Sequence, residues 1–363
     1  MRTFHCVCGG DLFFHSSGCT RCGRTVGLCP HCLNVAAVEP TGEGRFRCVH
    51  EGCGGTVVAC RHQTDGAWCN RYVAIDDDAP MFDSPPMCGD CRTTTHLPDL
   101  TAGDNLDKVR ELEFAKQRVL MTLRRMGLPW GGRDDDLPLT FRFLADVDGE
   151  HYATGHADGV VTINLEEADP VRREENRVKF HEPQRTLVGH LRHEIGHYYW
   201  QRLVSPDEES LASYRQTFGD ERDPTYADAM QAYYDNGPAA NWREHYVSAY
   251  ATMHSWEDFA ETFNAYLDMR AVLDTAAHFG VRANMLAAVD AADDFDRMIR
   301  DYMIVGVVAN ELNRDLGLPD LVPEVFTAAV RDKLRWVHEM AAAAARPPGA
   351  EESAAVNLAG VAG

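Results

Sequence analysis

The hydrophobic pattern changes character along the chain. In the first hundred residues the apolar positions come in short pieces, at 11–14 (DLFF), 45–47 (RFR) and 56–59 (TVVA). Runs this short, set between glycines and paired cysteines, predict small hairpins. From about residue 104 a helical period takes over. Over 104–126, Leu112, Val119 and Leu123 share one face, and Lys108, Arg110, Lys116, Arg124 and Arg125 are assigned to solvent. Leu128 and Pro129 end that helix. Two strands are then predicted, an alternating piece at 140–143 and the β-branched run at 159–165, with His156 in the loop before it. The stretch 184–203, QRTLVGHLRHEIGHYYWQRL, spaces Leu187, Leu191, Ile195 and Tyr199 by four, which predicts a helix. Residues 205–243 are broken by Pro206, Pro224, Gly237 and Pro238, leaving 227–233 as a helical piece. Ser255 is the expected N-cap of a further helix that buries Phe259, Phe263, Tyr266 and Leu267. Helical patterns continue through 268–316 and 323–341, and the Ala-, Pro- and Gly-rich end, 341–363, reads as disordered.

Cysteine use divides the chain. All twelve cysteines fall at or before Cys91. Their pairs are Cys6 with Cys8, Cys19 with Cys22, Cys29 with Cys32, Cys48 with Cys53, Cys60 with Cys69, and Cys88 with Cys91. Glycine follows Cys8, Cys22, Cys53 and Cys88, where it lets the backbone fold around a sulfur. Without a secretion signal, such pairs read as metal ligands rather than disulfides. Taken in chain order, they make three four-cysteine zinc sites: Cys6, Cys8, Cys19 and Cys22; Cys29, Cys32, Cys48 and Cys53; Cys60, Cys69, Cys88 and Cys91. Four thiolates close a coordination sphere, so these zincs are expected to be structural. His31, His50 and His62 are assigned to loops, and 72–87 to a loop within the last ribbon. With no cysteine beyond Cys91, a chain starting near Ala102 is expected to fold by itself.

Charge narrows the partners. The net charge is -21, and residues 1–100 carry 8 Arg and no Lys against 11 Asp plus Glu. No basic stripe is present, which argues against nucleic acid and anionic membrane. The N-terminus, MRTFHCVCGG, lacks a basic start followed by an apolar run, and no stretch is apolar for long enough to span a bilayer. The expected location is cytoplasmic.

Candidate chemistry centres on His193-Glu194-Ile195-Gly196-His197. Positions i and i+4 share a helix face, so both imidazoles reach one metal. Glu194, beside the first histidine, can take a proton from water at the open coordination position. The plain alternative is a solvated helix with two exposed histidines. A third ligand is sought downstream. Glu257 and Glu261 lie one turn apart; the first can complete a two-His, one-Glu site, and the second can hold a ligand imidazole through its other nitrogen. Asp258, His254 and His245 are the rival ligands.

These runs resemble a known family. CVCGGDLFF with CTRCG, CGDCR, AKQRVLMTLRRMGLP, GHADGVVTINL, RTLVGHLRHEIGHYYW and VSAYATMHSWEDFAETFNAYL are similar to bacterial zinc-binding metallopeptidases with an N-terminal zinc-ribbon domain. The segment 29–53 looks like an extra ribbon beside that pattern. The resemblance implies a gluzincin-type site: zinc on His193, His197 and a downstream glutamate, with Glu194 as base. The WEDFAE run is also similar to the third-ligand helix of lethal-factor-type gluzincins, which implies Glu257 as ligand, Glu261 as its support and Tyr250 facing the metal.

The expected fold class is α+β, with N-terminal zinc ribbons over 1–100 and a mainly helical zincin-like metallopeptidase domain with a small sheet over 101–340. The expected activity is zinc-dependent hydrolysis of peptide bonds in a protein or peptide substrate, with one catalytic zinc and about three structural ones. The ribbons would recruit a substrate or a protein partner. Two other readings stand beside it, a ribbon scaffold with an inactive peptidase-like domain and a DNA-linked protease, the second opposed by the acidic balance.

Overall fold

The computed structural model describes residues 2–77, 84–131, 135–147, 149–179, 185–281, 294–323 and 325–346. Strands β1 (Phe4–His5) and β2 (Asp11–Leu12) form a hairpin. Strands β3 (Val26–Leu28), β4 (Val35–Gly42), β5 (Arg45–Cys48), β6 (Thr56–Ala59) and β7 (Tyr72–Ala74) follow as an antiparallel meander. The short helix α1 (Gly89–Arg92) and strand β8 (Thr94–His96) end the cysteine-rich segment. The pattern missed β4, because its first four residues, Val35 to Val38, are all buried and do not alternate. β7 lies within the stretch expected to be loop; pairing with β6 satisfies its backbone.

Helix α2 (Asn105–Met126) ends at Gly127, whose φ of 69° turns the chain so that its N–H reaches back to Arg124 and Leu123. Strands β9 (Thr140–Leu144), β10 (Gly155–Ala157) and β11 (Val160–Asn164) come next. They join β8 in a sheet of order β10-β11-β9-β8. Phe141, Phe143, Val161 and Ile163 bury its inner face. β11 is therefore interior, and the edge beside the next helices is β10. His156 belongs to that edge strand rather than to a loop, and its Nε2 accepts from the Gly159 N–H.

The rest is helical: α3 (Pro170–Lys179), α4 (Leu187–Tyr199) with a π-helical turn at Trp200–Val204, α5 (Glu208–Phe218), α6 (Tyr226–Asn236), α7 (Trp242–His245), α8 (Ser255–His278), α9 (Asp294–Asp315) and α10 (Ala328–Ala344). The architecture is α+β, ribbons first and a mainly helical domain after. The N-cap of α8 is His254, not Ser255: its imidazole Nδ1 accepts from the Trp256 N–H at 3.1 Å. At the other end, α10 takes in residues 341–344 of the expected tail. Alanine is the best helix former, and Ala341 is buried. The remainder of that tail, 347–363, lies outside the described residues. Among the described residues no helix is long and apolar enough to cross a membrane.

Ribbon and helical domain share one core. Cys60, Trp68, Cys69, Cys88 and Cys91 pack in the same apolar cluster as α2, α4, α8 and α10. Across this junction runs a buried polar network. Arg71 Nε lies 2.5 Å from Asp90 Oδ2, and Arg124 of α2 reaches Asp90 Oδ1 at 2.8 Å. Burial pushes the Asp90 carboxyl up; Arg71 and Arg124 more than offset it and hold it below the usual range. Gln117 accepts from Arg71 at 2.6 Å and donates to the Trp68 carbonyl at 3.0 Å. Lys116, expected in solvent, is fully buried. It is paired with Glu113 at 2.9 Å and donates to the Asp90 carbonyl at 3.0 Å. Burial of charge is tolerated there because each partner is in place.

The shared core argues against the separable-ribbon expectation. A chain starting at Ala102 loses β8, Trp68 and Asp90 together, which takes the Asp90 carbonyl from Lys116, the Asp90 carboxylate from Arg124 and the Trp68 carbonyl from Gln117. We expect such a chain to be insoluble or to melt far below the full-length protein. A cooperative thermal transition of 102–346 near the full-length temperature would contradict this.

Candidate metal centre

The twelve cysteine sulfurs come together in three groups: Cys6, Cys8, Cys19 and Cys22; Cys29, Cys32, Cys48 and Cys53; Cys60, Cys69, Cys88 and Cys91. Within each group the Sγ atoms lie within 4.8 Å of one another. Neighbouring sulfurs lie 3.6 Å apart for Cys8 with Cys19 and 3.9 Å apart for Cys32 with Cys48. Thiolates about 2.3 Å from a tetrahedral zinc stand about 3.8 Å apart, so the spacing fits that ion. Backbone amides turn inward at the third group, with Arg71 N–H directed to Cys69 Sγ and Cys88 N–H to Cys60 Sγ, both at 3.3 Å. The nearby histidines have other partners. His31 contacts the Thr56 carbonyl, His50 contacts the Glu51 carbonyl, and His62 accepts from Trp68 Nε1.

A fourth group lies between α4 and α8. Thr186 caps α4 by accepting from the Gly189 N–H at 2.9 Å. Glu167 fixes the same end through Arg185 at 3.0 Å and His190 at 3.1 Å. One turn on, α4 presents His193 and His197, with Nε2 atoms 3.2 Å apart. From α8, Glu257 Oε2 approaches to 2.9 Å from His193 Nε2 and 3.5 Å from His197 Nε2. Ligands about 2.0–2.1 Å from a tetrahedral zinc stand about 3.3 Å apart, close to these values. Glu257 Oε2 is buried and has no hydrogen-bond partner. Two imidazole nitrogens and an unpartnered carboxylate oxygen facing one point fit a divalent cation.

The surroundings orient the donors. With its Nε2 in the cluster, His193 donates from Nδ1 to Glu261 Oε1 at 2.6 Å. Burial pushes His193 toward neutrality, and Glu257 and Glu261 outweigh it, holding the imidazole well above its ordinary range. A cation at the centre would replace that proton. His197 lies against the Trp256 indole, ring centres 3.9 Å apart. The rival ligands are occupied elsewhere. Asp258 pairs with Lys333 of α10 at 2.6 Å, His254 caps α8, and His245 is exposed beside Glu244.

Glu194 is buried next to His193. Tyr250 lies near the same histidine, its ring 6.0 Å from that of His193. Tyr226, the first residue of α6, donates its phenol O–H to Glu257 Oε1 at 2.9 Å. Both phenols are raised, chiefly by burial and further by the charges of Glu257 and Glu194. Tyr226 was outside every expectation. It sits in the Pro-broken stretch just before the helical piece expected at 227–233, where nothing local marks a residue that reaches α8.

The family described as "Putative zinc-binding metallo-peptidase" matches residues 105–340, which contain the His-Glu group and the residues around it. The chain belongs to this family. A zinc-ribbon domain family matches residues 3–102. Uncharacterized proteins of Mycobacterium tuberculosis (strain ATCC 25618 / H37Rv) and Mycobacterium bovis are each 36% identical over 349 residues, covering 93% of this chain and 94% of theirs. No solved structure matches. Membership supports zinc binding at the cysteine groups and at the His-Glu group.

In this member of the family the site depends on one close helix contact. A Cβ added to Gly196 would lie 2.9 Å from Ala260 Cα and 3.1 Å from the Ala260 carbonyl oxygen. Both are backbone atoms, so α8 itself would have to move. Gly196→Ala is expected to cost about 1–3 kcal/mol of stability, as overpacking does. It is also expected to weaken metal binding, because Glu257 lies one turn from Ala260. Denaturant unfolding and zinc titration check this. A variant as stable as wild type would show that the helices have slack there.

Proposed function

We propose that the protein is a zinc-dependent metallopeptidase that hydrolyses peptide bonds in a protein or peptide substrate. The observation that carries the reading is the convergence of His193, His197 and Glu257, with Glu194 adjacent and the phenols of Tyr226 and Tyr250 close by. Zinc, when bound, supplies a Lewis acid that polarises the scissile carbonyl and lowers the pKa of attacking water. Glu194 takes the water proton and delivers it to the leaving amine. Tyr250 donates to the oxyanion that develops on the carbonyl oxygen. His193, His197 and Glu257 hold the metal, and Glu261 keeps the His193 ring turned toward it. The free edge of β10 offers backbone groups to an extended peptide, as strand addition does. The ribbons position substrate or a protein partner. We assign about four zincs per chain, three structural on the cysteine groups and one catalytic.

Metal analysis separates the roles. Glu257→Ala should leave about three zincs per full-length chain under a competing chelator, because two protein ligands remain at the fourth site. Glu261→Ala should keep the fourth zinc with affinity about 10–100-fold weaker. Glu194→Gln should keep all the metal and lose hydrolysis, since the base is not a ligand. Metal lost in Glu261→Ala but kept in Glu257→Ala would reverse the two assignments. The substrate is sought by comparing protein N-termini in cells carrying wild type or Glu194→Gln. New termini that depend on Glu194 support the peptidase. Their absence, together with partner capture through the ribbons, would favour the scaffold reading.

A further inference from the structure

Helix α6 buries only Ala229, yet it reaches into the metal centre. It does so through Tyr226, whose ring stands edge-on against His254 and Trp256 at 5.4 and 5.8 Å. Both of those residues begin α8. Its hydroxyl ends on Glu257 Oε1 at 2.9 Å, and Tyr250 neighbours the same hydroxyl. The Glu257 carboxylate, 2% exposed, is therefore divided. Oε2 faces His193 and His197, and Oε1 is taken by a phenol from a different helix.

We infer that Tyr226 is a positioning residue for the third metal ligand: its O–H holds Glu257 so that one oxygen, Oε2, serves the metal. The inference rests on the metallopeptidase reading for the importance of the site, but its chemistry is that of ligand orientation. A buried carboxylate with one oxygen unbonded can rotate, or can turn both oxygens to the cation and raise its coordination number. A donor fixed on Oε1 removes both freedoms. Partners of this kind commonly change metal affinity by about 10–100-fold. Thr225 supports the placement. Its hydroxyl caps α6 by accepting from the Asp228 N–H at 3.3 Å, which sets where the helix and its first side chain begin. The peptide of α6 thus supplies no ligand, only the bond that aims one.

The test uses the full-length chain and Tyr226→Phe, which removes the hydroxyl and keeps the ring. Zinc is titrated against chelators of graded strength, with total zinc and thermal unfolding followed in parallel. We expect the fourth zinc to bind about 10–100-fold more weakly, while the three cysteine-bound zincs and the melting temperature with the fourth site empty stay as in wild type. Cobalt exchanged into the fourth site alone should show a weaker visible band in Tyr226→Phe, as coordination number rises. Met230→Ala, one turn along α6, should leave the affinity at the wild-type value. Equal affinity for the fourth zinc in wild type and Tyr226→Phe overturns the inference. So does an equal loss in Met230→Ala, which would assign the effect to the packing of α6. The predicted loss in a protein that cleaves no peptide would uphold Tyr226 and sink the peptidase reading. Wild type that binds only three zincs overturns both.

Discussion

Two helices have to approach until one backbone touches the other. Gly196 lies between the two metal-facing histidines of α4 in helical register, and Ala260 lies between Glu257 and Glu261 of α8. Small residues at that crossing set the distance at which an imidazole pair and a carboxylate can share one cation. The same approach places Glu261 behind His193 at 2.6 Å. The motif thus carries its packing requirement within its own five residues. Its histidines face the metal site, and its glycine fixes where the Glu257 carboxylate arrives.

The ribbons are tied to that crossing through α2. One side of α2 packs with α4, and Met121 joins the core of the first ribbon with Phe4, Leu12 and Val35. Its polar residues close the junction from within: Glu113, Lys116, Gln117 and Arg124 all find partners in or next to the cysteine-rich segment. A buried ion pair adds little net stability when complete but costs several kcal/mol when broken. The third cysteine group is therefore less an appendage than a wall of the domain that carries the metal centre. In two-state unfolding both would be lost together.

Much of this was legible in the chain, and the reasons for the gaps are physical. Residues 104–126, 140–143 and 159–165 lie within one residue of α2, β9 and β11, because their apolar positions repeat at the helical or strand period. Lys116 was misplaced because periodicity tells which face is apolar, while its burial depends on Asp90 and Thr94, 26 and 22 residues away, as well as on nearby Glu113. His156 was placed in a loop because β10 is three residues long and carries too little pattern. His254 became the cap instead of Ser255 because an imidazole nitrogen can accept as a hydroxyl does, which the usual capping residues do not reveal. At the centre, the HEIGH run and the acidic start of α8 marked two of the contributing segments. Tyr226 left no trace, since a single bond across 31 residues has no period.

The start of α8 poses an electrostatic problem of its own. Glu257, Asp258 and Glu261 are three carboxylates within little more than one helical turn, and two of them are almost wholly buried. Like charges so close disfavour one another's ionisation unless each has its own cation. The structure gives each a different one. Glu257 faces the metal centre, Glu261 faces the His193 imidazole, and Asp258 faces Lys333, which α10 brings in from 75 residues away. Burial still pushes Asp258 up to about 7, so Lys333 only partly compensates. Lys333 also donates to the His245 carbonyl and lies over the Tyr246 ring, 4.1 Å from its centre. Through that one ammonium, α10 keeps the third carboxylate away from the metal and anchors the chain just before Tyr250. The helical phase of α8 turns Asp258 away from the centre, and α10 supplies the counter-charge it meets there.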